Sequence, residues 1–295
     1  MIARQLLFPL LLIALLWCGG CNQKLGPKHT LHFVATPLPG AKSAQIDLAS
    51  AQRIVRGRVR GTGVRKQLEV TTSGLNQVIV TIYGAEQTEL DKIEEYITAP
   101  GTMELAAIAH RDVDIELVEQ AEKEEREVRV DGVVVAEWVP ASRLPNGDLK
   151  MGPVQPSALS RERDVDGRPV SELLIVYVPG QRIKGSMLTS ASESMDQVGA
   201  PCIDFAFNAE GAANLLSLTT SLTPRGTLTR QLAIIFDGRI QSAPTVQSSI
   251  KDRGQITGNF SQAEVRMTVQ LLRAGTLPCN LSLQKVTKED PPTEG

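Results

Sequence analysis

Aromatic side chains are scarce in this chain, 4% of 295 residues with two tryptophans, and histidines number three. The first shortage excludes stacking platforms for sugars or bases. No histidine is accompanied by a nucleophile elbow or a Cys-His pair, and no phosphate-cradling glycine loop opens a helix, so catalysis is the weakest function class. Neither sign of charge dominates, with 31 basic against 33 acidic residues, and no nucleic-acid partner is expected. Cysteines number four, and only Cys202 and Cys279 lie beyond the opening segment. They allow one disulfide at most, and two separately buried small apolar residues are the simpler reading. Beyond the opening segment no apolar run is long enough to span a bilayer.

What is present begins with MIARQLLFPLLLIALLWCGGCN. A single basic residue, Arg4, precedes an apolar run from Leu6 to Trp17 that has the length of an export-signal core. Gly19 and Gly20 before Cys21 resemble a bacterial lipobox, with Cys18 where leucine is usual. Residues 1–20 are therefore expected to be a signal peptide of lipoprotein type, and Cys21 the lipid anchor.

From His29 the periodicities become regular. HTLHFVAT alternates as a strand, and IDLASAQRIVRGRVRGTG carries a helical stripe with Gly61 as its stop. QLEVTTSGLNQVIVTIYG reads as a hairpin about Ser73-Gly74, Thr88 and Asp91 as a capping box, and TMELAAIA as a further strand. The order strand, helix, strand, strand, helix, strand is the ferredoxin-like arrangement. Residues 110–182 are charged and rich in turn residues, with a hairpin at Asp131-Gly132 and a strand at ELLIVYVP, and read as a partly ordered insertion. Its acidic run is expected to be a solvated helix face. HRDVD would align His110, Asp112 and Asp114 if extended, but a charged loop leaving a strand gives the same pattern, and no metal is expected.

In the last part SMLTSASESMDQVG reads as a helix, PCIDFAF as a strand and Asn208 as the cap of AEGAANLLSLTTSL. RQLAIIFDGRIQSAP is a hairpin turning at Asp237-Gly238. Ser261 and Glu264 form the capping box of a helix closed by Gly275, and TLPCNLSLQKV is a final strand.

FNAEGA (207–212), LAIIFDGRIQSAP (232–244), RGQITGNFS (253–261) and LLRAGTLP (271–278) occur in an order and at spacings that resemble the first periplasmic domain of the SecD protein-translocase family. IVRGRVRGTGV (54–64) is similar to that family's arginine-rich first helix. The resemblance implies an α+β protein with a ferredoxin-like base followed by an α+β head. Residue patterns and resemblance together divide the chain into signal 1–20, tether and first strand 21–45, base 46–109, insertion 110–182, head and final strand 183–285, and disordered tail 286–295. The resemblance implies structural roles for Asn208, Glu210, Gly211, Asp237, Gly238, Pro244, Gly254, Gly258 and Gly275. In the family this module is thought to meet polypeptide leaving the Sec channel and is moved by proton flow through transmembrane helices. Here seventeen polar-leaning residues follow RAGTLP, so the motor role does not carry over.

The function expected is a non-catalytic accessory of protein export on the periplasmic side of a cell-envelope membrane. It would bind unfolded secretory polypeptide or Sec translocase subunits, with no cofactor. The alternative is a membrane-tethered scaffold that keeps the fold without an export role. Candidate polypeptide contacts are Met187, Leu188 and Met195 in the head. Arg53, Arg56, Arg58, Arg60, Arg65 and Lys66 form a basic stretch. Arg53, Arg56 and Arg60 are its candidates for facing anionic headgroups, against a plainly solvated helix face.

Overall fold

The computed structural model describes residues 26–38, 45–64 and 66–291. The signal segment, Cys21, Arg65 and residues 292–295 lie outside them. The elements in chain order are β1 (Lys28–Thr36), α1 (Leu48–Gly61), β2 (Leu68–Ser73), β3 (Gln77–Tyr83), α2 (Gln87–Thr98), β4 (Met103–Ile108), α3 (Ile115–Ala121), β5 (Glu127–Val130), β6 (Val133–Pro140), β7 (Ser160–Val165) and β8 (Arg168–Val176). They continue as β9 (Ile183–Lys184), a 3-10 turn (Gly185–Met187), β10 (Leu188–Met195), β11 (Pro201–Phe207), α4 (Ala209–Leu222), β12 (Leu232–Phe236), β13 (Arg239–Ser242), β14 (Arg253–Ile256), α5 (Gln262–Ala274) and β15 (Asn280–Glu289).

The base is a four-stranded antiparallel sheet in the order β15-β1-β3-β2 with α1 and α2 packed on it. Alternation puts Leu31, Phe33 and Ala35 of β1 and Val78, Val80 and Ile82 of β3 on the covered face. Ala51, Val55 and Val59 of α1 and Ile93 and Ile97 of α2 close over them. Each such large side chain contributes roughly 1.5–3 kcal/mol on burial. The fourth strand is β15, not the expected TMELAAIA. That segment is β4, and it is covered on both sides: Leu105 and Ala107 face one core, Ala106 and Ile108 another. A strand buried on two faces belongs between layers, whereas β15 buries Leu281 on one face and suits the margin of the base.

The charged stretch after β4, expected to be a partly ordered insertion, is instead built into a sheet. Its strands β5 to β8 join β4, β12 and β13 in one sheet, ordered β13-β12-β4-β8-β6-β5 with β7 beside β8. The run Leu173, Leu174, Ile175 is fully buried because β8 carries apolar cores on both faces. β13 returns to the end of β6 through a parallel bridge between Ala141 and Ile240, where the amide of Ser142 donates to the Ile240 carbonyl at 2.9 Å. The sheet thus curls upon itself around Val139, Ile175, Ala233 and Ile240. Lys150 of the same stretch is buried against α5, bonded to Glu264 at 2.5 Å and 4.7 Å from the Phe260 ring centre.

The remaining sheet, β10-β11-β14, is joined to α4, α5 and one face of the curled sheet by a shared core. SMLTSASESM was expected to be helical, but only Ala191 of its strand is fully buried, and Thr189 hydrogen-bonds the Ala206 carbonyl of β11. Its serines and threonine favour such bonds over a helix. The tail expected to be disordered from residue 286 is strand to Glu289, pinned to Lys28 at 3.1 Å. Two caps also shift. The amide of Glu86, not of Thr88, is held by a side chain three residues on, Glu89, at 2.9 Å, while Asp91 takes Gln87. α1 runs through Gly61, and the positive φ falls at Gly63.

Candidate functional site

The head departs from the base at Pro100-Gly101-Thr102 and the chain returns at Gly275-Thr276-Leu277, and the two crossings lie side by side. The Leu277 amide donates to the Pro100 carbonyl at 3.1 Å, and the Thr276 hydroxyl to that of Gly101 at 3.1 Å. Into this junction α1 sends Arg58, whose relative exposure is 0%. Its guanidinium donates to the carbonyls of Tyr96 at 3.1 Å, Pro100 at 2.9 Å and Gly275 at 3.0 Å, and to that of Ala99. The end of α2 is thereby capped by a cation, the favourable sign at a helix C-terminus. Burial lowers the Arg58 pKa to about 10, with Asp237 acting in the opposite sense.

Asp237 holds the junction from the head side. Its carboxylate accepts from the Thr102 amide at 2.7 Å and hydroxyl at 3.2 Å, and its own amide donates to the Thr102 carbonyl at 3.1 Å. It does so from the tight turn Asp237-Gly238, where φ is 48° and 71°. Gly101 is required here twice over. Its φ is 71°, and a Cβ would come within 2.4 Å of the Arg58 guanidinium. The IVRGRVRGTGV, LAIIFDGRIQSAP and LLRAGTLP stretches, far apart in sequence, therefore meet at one place.

The other motif residues serve packing. Asn208 caps α4 by accepting from Gly211 at 2.9 Å, with Glu210 exposed in its first turn. A Cβ on Gly211 would press on Met187 and Phe207, and one on Gly254 on the Phe205 ring. The Pro244 carbonyl accepts from Leu232, and Gly258 lies against Phe260 and Ser242.

Of the expected polypeptide contacts, Met187 and Leu188 are half-buried and packed against the head core. Met195 is 55% exposed at the end of β10, and Val198, 87% exposed, stands at the tip of the hairpin that follows. β10 is the outer strand of its sheet, with the Ala191 carbonyl held by Arg273 at 2.7 Å. Arg53, Arg56 and Arg60 lie on one exposed face of α1, and none has a carboxylate partner among the described residues. Arg58 is the exception in that basic stretch. Asp114 is paired with Arg230 at 2.5 Å and accepts the His110 amide at 2.8 Å, and among the described residues no cluster of metal-ligating side chains occurs. Cys202 and Cys279 are free and buried, and burial pushes both thiols up.

Two adjoining cavities went unread in the sequence. They have volumes of about 500 and 310 Å³ and share Arg126, Trp138, Pro140 and Gly238 as walls, immediately beside the Asp237 turn. In the smaller one Arg182 lies 3.8 Å over the Tyr177 ring and 3.3 and 3.7 Å from Glu137 and Glu104. The Tyr177 hydroxyl donates to Glu137. Burial raises the pKa of Glu104, with Arg182 pulling it back.

Among known proteins, residues 159–279 match the family model described as SecDF, P1 head subdomain. The protein translocase subunit SecD of Leptotrichia buccalis is 40% identical over 102 residues, covering 34% of this chain and 24% of that protein. SecD of Aquifex aeolicus is 37% identical over 99 residues, covering 34% and 19%. The match thus spans about a quarter or less of the length of these relatives. A solved structure of a membrane component SecDF that enhances protein export aligns over 87% of this chain and 98% of its own, at 20% identity and a TM-score of 0.55. SecDF in a super-membrane-facing form aligns over 90% and 30%, at 20% identity and a TM-score of 0.56. Among the described residues no helix is long and apolar enough to cross a membrane. With the motifs gathered at one junction and the head carrying the sequence match, residues 159–279 are similar to the SecDF P1 head subdomain, and the chain has the fold of the SecDF periplasmic part.

Proposed function

We propose that this protein is a non-catalytic accessory of protein export, held on the periplasmic side of a cell-envelope membrane through Cys21. It binds secretory polypeptide, or the Sec translocase itself, with the β10 hairpin of its head. The observation that carries the reading is the coincidence of the family match with an intact base and head. Arg58 and Asp237 tie the two parts at both crossings, so the module that resembles the SecDF periplasmic part is present as base and head together. An outer strand whose hairpin ends in exposed Met195 and Val198 offers backbone pairing and apolar contact without sequence choice. The role is one of binding and includes no proton-driven work.

The test is photocrosslinking in cells from positions 195 and 198 while a secretory protein is stalled in the channel, with position 187 as the packed control. Adducts from 195 and 198 to the stalled chain or to channel subunits are expected, and none from 187. Failure of both exposed positions in folded protein would move the assignment to a tethered scaffold.

A further inference from the structure

The larger cavity lies between the β7-β8 hairpin, the end of β6 and the Asp237-Gly238 turn, and its lining is unequal in charge, with Arg126, Arg161, Arg163 and Arg239 against Glu125 and Glu172. Glu172 is 3% exposed and already neutralised, by Arg161 at 2.8 Å and Arg163 at 2.9 Å. Arg161 is further committed, its guanidinium lying 4.1 Å over the Trp138 ring and donating to the Glu125 carbonyl. Arg126 and Arg239 complete the rim; both are exposed, and neither has a carboxylate partner among the described residues. Two arginines without a carboxylate partner among the described residues therefore line the cavity, and a guanidinium fork matches a carboxylate in bidentate fashion.

Resting on the export reading above, we propose that this cleft is a binding site for carboxylate-bearing segments of polypeptide, with Arg126 and Arg239 reading the acidic side chains. The apolar walls are Trp138, Pro140, Val165 and Val170, enough to seat one or two side chains and too little to enclose an acyl chain. The Trp138 face is covered by Arg161, so no ring is open for a nucleobase to stack on. The adjoining cavity shares Arg126 and sets Glu104 and Glu137 against it and Arg182, so the trough is basic in its larger part and balanced in its smaller one. An extended chain carrying acidic side chains among others fits that distribution; a ligand with one polar end does not.

The test is fluorescence anisotropy of two labelled peptides on the full chain, one alternating Glu with Leu and Ala and the other with Lys in place of Glu. The comparison protein is Arg126→Glu/Arg239→Glu, whose exposed and unpaired positions leave the core untouched. The acidic peptide is expected to bind more tightly than the basic one and to weaken at least about tenfold in the variant, with affinity falling as salt rises. Binding that ignores both peptide charge and the variant would overturn the cleft and leave polypeptide binding standing. No binding of either peptide would overturn the cleft together with polypeptide binding, and would leave the translocase as the partner of the export reading. Inorganic phosphate displacing the peptide at equal concentration, or variant-sensitive binding to phosphatidylglycerol vesicles without peptide binding, would assign the arginines to a different anion and likewise sink the proposal.

Discussion

The Arg58 guanidinium and the Gly275 carbonyl, 217 residues apart in the chain, lie 3.0 Å apart in the structure. The first helix of the base thus holds the point at which the chain leaves the head. Because Arg58 also takes three carbonyls at and after the end of α2, one side chain ties both crossings to the base.

Arg58→Met is expected to cost about 3 kcal/mol, since it leaves buried carbonyls without donors. Gly101→Ala should cost about 1–3 kcal/mol through its positive φ and the collision with Arg58. The double variant should cost less than the two added together, because removing the guanidinium frees the space a Cβ needs. Urea denaturation of the four proteins measures this. Strict additivity would mean that Gly101 is selected by φ alone.

Glu264 carries a pH dependence of defined sign. Burial raises its pKa, but hydrogen bonds from Lys150 and Ser261 outweigh burial and leave it below the usual value of 4.5. A carboxylate titrating lower when folded stabilises above its unfolded pKa, and that stability is lost as pH falls through the folded value. Glu264→Gln, which keeps the capping geometry, is therefore expected to lose about 0.5–1 kcal/mol at pH 7, an effect held small by solvent at a half-exposed carboxyl. The gap to wild type should close as the pH drops below the ordinary glutamate range. Thermal unfolding between pH 3 and 7 reads it, and a gap that stays constant with pH would rule the charge out.

On the proposed tethering, membrane attachment would separate into two contributions. Cys21→Ser is expected to move the protein from the membrane to the soluble fraction of the envelope and to abolish labelling with a fatty-acid probe. Reversing Arg53, Arg56 and Arg60 to Glu, with Cys21 intact, should leave it in the membrane fraction. Binding of the Cys21→Ser protein to vesicles rich in phosphatidylglycerol should nevertheless fall on that reversal, each arginine contributing about 1 kcal/mol near the surface. Vesicle binding indifferent to the reversal would leave α1 with a merely solvated face.

Features set by neighbours in sequence were legible. Ser73-Gly74, Asp131-Gly132 and Asp237-Gly238 turn the chain where turns were expected, and Ser261 with Glu264 starts α5. What escaped depends on partners far away. Nothing local distinguishes β4 from β15 as the fourth strand of the base, because the choice is made by what covers Ala106 and Ile108. β10 was misread because its small polar residues give neither period clearly. Arg58 was counted with the surface charges, though its position was readable: it lies on the stripe of Val55, Val59 and Thr62, all of them inside. The two cavities had no signal, since their walls come from segments between residues 102 and 239 that share no motif.

The pairing of β1 with β15 joins residues up to 261 positions apart, Lys28 with Glu289. During synthesis β1, α1, β2, β3 and α2 are complete well before β15 emerges, and in between the whole head must be made. Throughout that interval the outer edge of β1 has no partner, and the core around Leu31 and Phe33 lacks Leu277, Cys279 and Leu281. The base is therefore the last part to finish although it is the first to appear. Its unpaired edge is where premature association with other chains is to be expected, and a head that folds quickly shortens the exposure.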